Sequence, residues 1–139
     1  MRLSDATLLV TRADVPSVRR GRRILEACAE RGIDCQRCHV VVNRWGQPGQ
    51  LKADQIEAGM AAPVFMYLPE DVARMNEAVN QGLLLQELSP GARLTAGFRD
   101  LAGMLSGKPQ DRKGPSWMDW LGSRRGGKSP RSREPQGVS

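Results

Sequence analysis

The sequence is poor in the residues that build metal centres, disulfide scaffolds and membrane spans. Its 139 residues include one histidine, one tyrosine, two phenylalanines and three cysteines. Three cysteines are too few, and odd in number, for a disulfide framework, so they read as reduced thiols. No apolar run approaches the ~18 residues of a membrane-spanning helix. The longest, around Ala6–Val10 and Val64–Leu68, are the size of strands. The opening Met1-Arg2-Leu3-Ser4-Asp5 has no apolar signal-peptide stretch, which makes the cytosol the expected compartment. Acidic residues are scarce only towards the C-terminus. Residues 1–107 carry 13 basic and 12 acidic side chains, whereas 108–139 carry 8 and 3, so most of the net charge of +6 belongs to the end of the chain. The expectation is one folded unit over 1–107 and a disordered, basic, Pro/Gly/Ser-rich tail over 108–139.

What is present in the first 107 residues is a regular alternation. Ala6–Thr11 is a continuous apolar and β-branched run, the pattern of a strand buried on both faces. Asp14-Val15-Pro16 opens a helix, with Pro preset for its first turn, and Gly32 closes it. Val18, Gly21, Ile24, Leu25 and Cys28 share one side of that helix, opposite Arg19, Arg20, Arg22 and Arg23. A second strand is expected at Cys38–Asn43, a short helix at Lys52–Ala58 and a third strand at Pro63–Leu68. A helix follows over Glu70–Gln81, with Val72, Met75 and Val79 as its buried stripe and Gly82 as its stop. The last is Ala92–Ser106, amphipathic through Leu94, Phe98, Leu101 and Leu105. The fold class is α/β: about three parallel strands joined by right-handed crossovers, with helices on both faces.

Open parallel sheets take ligands outside the carboxyl ends of their strands. The loops leaving that edge are Thr11–Asp14, Asn43–Gly46 and Pro69–Asp71. Asn43 offers a donor and an acceptor side by side, which suits the N6/N7 edge of adenine, and Arg44 can stack on a base or pair with phosphate. The same residues also read as a turn cap and a surface charge. Trp45 reads as a packing or loop-covering residue.

Other motifs fail on context. Cys35-Gln36-Arg37-Cys38-His39 spells a haem-attachment pattern and, with Cys28, a Cys₃His zinc set. Adjacent Cys38 and His39 at a strand start point to opposite faces and are ill placed to grip one ion. Gly122–Ser129 satisfies G-x-x-x-x-G-K-S, but no buried strand precedes it and Pro130 removes a needed N–H. The arginine cluster reads either as a solvated helix face or as an anion or nucleic-acid surface. In the tail, Ser116–Gly122 places Trp117, Met118, Trp120 and Leu121 together, a segment too short to be helical alone. Docking to a partner, weak contact with a membrane surface, and no role are all open for it.

Taken in order, Leu8–Thr11 with Asp14–Arg19, Val41-Val42-Asn43-Arg44-Trp45, Pro69-Glu70-Asp71 with Asn76–Gly82, and Leu88-Ser89-Pro90 resemble the C-terminal half of a MinD/ParA-like P-loop ATPase. They are most similar to the TadZ/CpaE branch that serves Tad (Flp) pilus assembly. The resemblance implies that Asn43 of the Asn-Arg pair contacts adenine and that Pro69, Glu70 and Asp71 close over the base or ribose. It implies ATP and Mg²⁺ as ligands of the intact protein, which would dimerise around them. The phosphate loop, its Lys and the metal-orienting acid belong upstream of the matched region. The sequence therefore reads as a fragment, a split product or a degraded relative, inactive as an ATPase on its own. The implied partners are pilus assembly machinery, the missing ATPase half, or a second copy meeting an open sheet edge. Family members often bind DNA without sequence preference. MinD relatives use a longer amphipathic C-terminal helix for membranes, so a membrane-peripheral location is a further implication.

Overall fold

The computed structural model describes residues 6–33 and 37–107. The predicted tail 108–139, with its Trp117, Trp120 and Leu121, lies outside the described residues, as does Cys35. Three parallel strands, β1 (Thr7–Arg12), β2 (Cys38–Trp45) and β3 (Val64–Pro69), lie side by side in sequence order. The crossovers are α1 (Val15–Glu30) and α2 (Ala53–Met60). α3 (Val72–Gln81), a single turn α4 (Leu85–Leu88) and α5 (Arg93–Leu105) follow.

Local chemistry sets the boundaries. Asp14 caps α1 by accepting the Ser17 backbone N–H at 2.9 Å, and Pro16 sits in the first turn. Hydrogen bonds from Ser17, hydroxyl first and backbone second, hold the Asp14 carboxyl below its ordinary pKa; burial opposes this weakly, and Arg12 and Arg20 add to it. Asp71 caps α3 through the Arg74 N–H, and Gly82 closes it at φ 66°, a left-handed position that glycine takes without a Cβ clash.

One face of the sheet is sealed by α1 and α2 over Val40, Val42, Trp45 and Tyr67, with Val18, Ile56 and Met60 supplied by the helices. The two helices approach closely because of their glycines. A Cβ on Gly59 would stand 2.6 Å from Val18 Cγ1, and one on Gly21 2.6 Å from Met60 Cε. On the other face Val41, Met66 and Leu68 pack with Leu94 of α5.

Three expectations need correction. β1 is not buried on both faces: it is an edge strand, with Leu8 37% and Val10 57% exposed, because α5 covers the β2–β3 side of its face. Val79 is 71% exposed, and Ala78 is the buried residue of α3, whose inward stripe is displaced by one position. Phe98 and Leu105 stay over 40% exposed on α5, while Leu94, Thr95 and Gly97 face inward. α4 adds a turn that the sequence pattern did not reveal.

Candidate functional site

The carboxyl edge of the sheet is shaped by a β-bulge. Val42 pairs with Tyr67, and the next pair is Trp45 with Pro69, so β2 spends three residues where β3 spends two. The extra residue is accommodated at Arg44, a non-glycine held at φ 57°. This left-handed position is costly for an L-residue, and such strain clusters at functional sites. The bulge reverses the alternation of side chains. Asn43 continues the face of Val41, whereas Trp45 turns to the opposite face, where it is buried against Tyr67 with ring centroids 4.5 Å apart. Trp45 is thus the packing residue the sequence suggested.

Asn43 is half-buried, and its Oδ1 accepts the Arg44 backbone N–H at 2.9 Å. A backbone N–H can only donate, so this contact fixes which end of the amide is oxygen. The Nδ2 hydrogens and a second Oδ1 lone pair remain to present the paired donor and acceptor that an adenine edge requires.

A chain of polar contacts ties the three loops together. Arg12 at the end of β1 donates through Nη2 to Gln47 Oε1 at 3.2 Å, and Gln47 Nε2 donates to Glu70 Oε1 at 2.7 Å. The same carboxylate oxygen lies 3.6 Å from Arg44 Nε. The Glu70 N–H donates to the Trp45 carbonyl at 2.9 Å. Gln50 Oε1 accepts both the Gly46 and Gln47 backbone N–H groups, at 2.8 and 3.0 Å, which clamps the turn after β2. The Leu51 N–H meets the Ala13 carbonyl at 2.9 Å, joining that turn to the first loop.

Asn43, Arg44, Pro69 and Glu70 are therefore neighbours along one edge. Asp71 adjoins them, but its carboxylate caps α3 and pairs with Arg74 Nη1 at 2.6 Å. Sequence reasoning missed Gln47 and Gln50. The signal available was the Gly46-Gln47-Pro48-Gly49-Gln50 turn, where two glutamines flank a Pro-Gly pair.

Arg19, Arg20, Arg22 and Arg23 lie along α1 and are all exposed, with Arg22 Nε bonded to Glu26 at 2.8 Å. A cavity of about 720 Å³ opens at the opposite, amino edge of the sheet, where α1 and α2 end near Cys38, His39 and Phe65. There His39 stacks on Phe65 at 4.3 Å. No helix among the described residues is long and apolar enough to cross a membrane.

No protein-family model matches the chain, and no curated protein matches it in sequence. Solved structures do. A ParA family ATPase from Chlorobium tepidum TLS superposes with a TM-score of 0.66 at 26% identity, over 70% of this chain and 41% of that one. The MinC:MinD cell division protein complex of Aquifex aeolicus superposes with a TM-score of 0.66 at 21% identity, over 79% of this chain and 46% of that one. The fold is thus MinD/ParA-like, and the chain spans less than half the length of these neighbours.

Proposed function

We propose that this chain supplies the base-binding side of a MinD/ParA-like ATPase, of the TadZ/CpaE kind that localises or assembles pilus machinery. The observation that carries the reading is Asn43, presented by the bulge with its amide oriented by the Arg44 N–H, in a fold shared with a ParA family ATPase. Adenine would pair with the Asn43 amide, with Arg44 beside it and the Pro69-Glu70-Asp71 loop on the ribose side. The polar residues at this edge fit a base better than a triphosphate, because the Arg44 guanidinium is already drawn to Glu70. Phosphates and Mg²⁺ require the glycine-rich loop of the other ATPase half, which is then the natural partner, alongside pilus components or a second copy.

Equilibrium binding of fluorescent ATP and GTP analogues tests this. Weak, adenine-selective binding that Asn43→Ala abolishes is expected, with no ATP turnover by the 139-residue chain. Robust hydrolysis by that chain, or equal binding of both analogues, would sink the proposal.

A second reading, as a non-enzymatic binding module, is favoured by the exposure of all four arginines on α1. It predicts DNA binding that weakens steeply with salt and that Arg19→Glu with Arg23→Glu removes. A membrane-peripheral location stands only as a proposal through the tail.

A further inference from the structure

Two side chains at the carboxyl edge compete for one carboxylate oxygen. Gln47 Nε2 donates to Glu70 Oε1 at 2.7 Å, and Arg44 Nε lies 3.6 Å from the same atom. The first contact is a short hydrogen bond to a charged acceptor. The second is beyond hydrogen-bond length, so only charge attraction links Arg44 to Glu70. Left to themselves, an arginine and a carboxylate close further, as Arg74 does on Asp71 at 2.6 Å and Arg22 on Glu26 at 2.8 Å. The Arg44 guanidinium instead makes no hydrogen bond among the described residues.

Gln47 accounts for the gap, because it is itself held firmly. Its backbone N–H is taken by Gln50 Oε1 at 3.0 Å, and its own Oε1 accepts from Arg12 Nη2 at 3.2 Å. That leaves Nε2 for Glu70. A guanidinium only donates and a carboxylate only accepts, so turning the amide over would lose both contacts. Arg12 is steadied in turn by Asp14, 3.6 Å from its Nε. Arg44 has little freedom to follow Glu70, since its backbone is pinned at φ 57° with its N–H on Asn43 Oδ1.

We infer that Gln47 is a positioning residue of this edge: it occupies Glu70 Oε1, holds the carboxylate off Arg44 and so leaves the guanidinium to the ligand. A guanidinium kept out of a closed ion pair offers its flat face for a base to stack on. The identity of that ligand, a nucleotide, rests on the proposed function. Without Gln47, the Glu70 carboxylate loses its hydrogen-bond donor among the described residues and takes Arg44 in its place. The cation is then spent on an internal pair and withdrawn from the ligand.

The Arg44 Nε proton, followed by nuclear magnetic resonance in the full chain without ligand, tests the restraint. Arg44→Lys removes that signal and so assigns it. Gln47→Met keeps the length of the side chain and loses the amide. It is expected to slow exchange of the Arg44 Nε proton with water several-fold, as Glu70 closes on it. Arg12→Met, at a half-exposed side chain, should act in the same direction by releasing Gln47, and it serves if Gln47→Met fails to fold. Titration with ATP tests the consequence. Gln47→Met should weaken ATP binding several-fold in the parent chain and lose that effect in a Glu70→Gln background, where no charge remains to capture Arg44. A merely structural Gln47 would cost the same affinity in both backgrounds, which would overturn the inference. So would unchanged proton exchange in both variants. If the parent chain binds no ATP, the proposed function fails, and the Nε proton alone decides whether Gln47 restrains Glu70.

Discussion

Backbone strain and the proposed nucleotide role meet in one residue, Arg44. Its φ of 57° costs an L-residue about 1–2 kcal/mol relative to glycine. Its pairing with Glu70 is half-exposed and returns ~0–1 kcal/mol. Arg44→Gly should therefore stabilise the protein by up to about 1 kcal/mol in urea unfolding while weakening nucleotide binding. Loss of stability on that substitution would contradict the strain argument. Tyr67 offers a clean reporter, because it is the sole tyrosine. Burial, with Glu57 and Asp54 nearby, pushes its phenol up to about 12. A raised folded-state value favours folding fully below the unfolded tyrosine's pKa near 10 and loses that contribution as pH rises towards 12. Spectroscopic titration should show tyrosinate appearing near 12 in the folded protein and near 10 in denaturant. Ionisation near 10 in the folded protein would contradict the burial.

At the scale of elements, the α1–α2 contact rests on two glycines that are not equivalent. A methyl at Gly59 meets the stiff, β-branched Val18, whereas one at Gly21 meets the flexible end of Met60. Overpacking costs ~1–3 kcal/mol against ~1 kcal/mol gained in helix propensity. Gly59→Ala should thus destabilise by roughly 1 kcal/mol and Gly21→Ala should be near neutral, compared by thermal unfolding. The opposite ranking would mean that Met60, not Val18, is the rigid partner. The same elements mark what the sequence could disclose. Asp14, Pro16, Gly32 and Gly82 announced the helix ends, and the apolar runs announced three strands, because both signals are local. β1 was misjudged because its run looks like that of a central strand, while its exposure depends on which helix lies over it. Ala78 rather than Val79 is the buried residue of α3, and which residue of a helix turns inward is settled by its packing against the rest of the fold, not by its own periodicity. The bulge at Arg44 carried no signature, since glycine is the usual residue at such a φ. Asn43 and Glu70 could be picked from their place after apolar runs. For Gln47 and Gln50 the sequence offered only the Pro-Gly turn between them, because their contacts exist only once three loops meet.

Across the whole molecule, a three-stranded MinD/ParA-like sheet presents one polar edge and one half-covered face. The edge is cross-linked by Arg12, Gln47, Glu70 and Arg44, and the Asn43 Oδ1 accepts the Arg44 backbone N–H. Under the proposed function, an edge already ordered in this way would leave little ordering to be done on binding. The most direct measurement is the nuclear magnetic resonance signal of the Asn43 side-chain amide during titration with ATP and with GTP. The proposed function predicts that this signal shifts progressively with ATP and far less with GTP, with the Gln47 amide following. An Asn43 amide that stays unmoved by ATP up to tens of millimolar, or moves equally with both nucleotides, would contradict it.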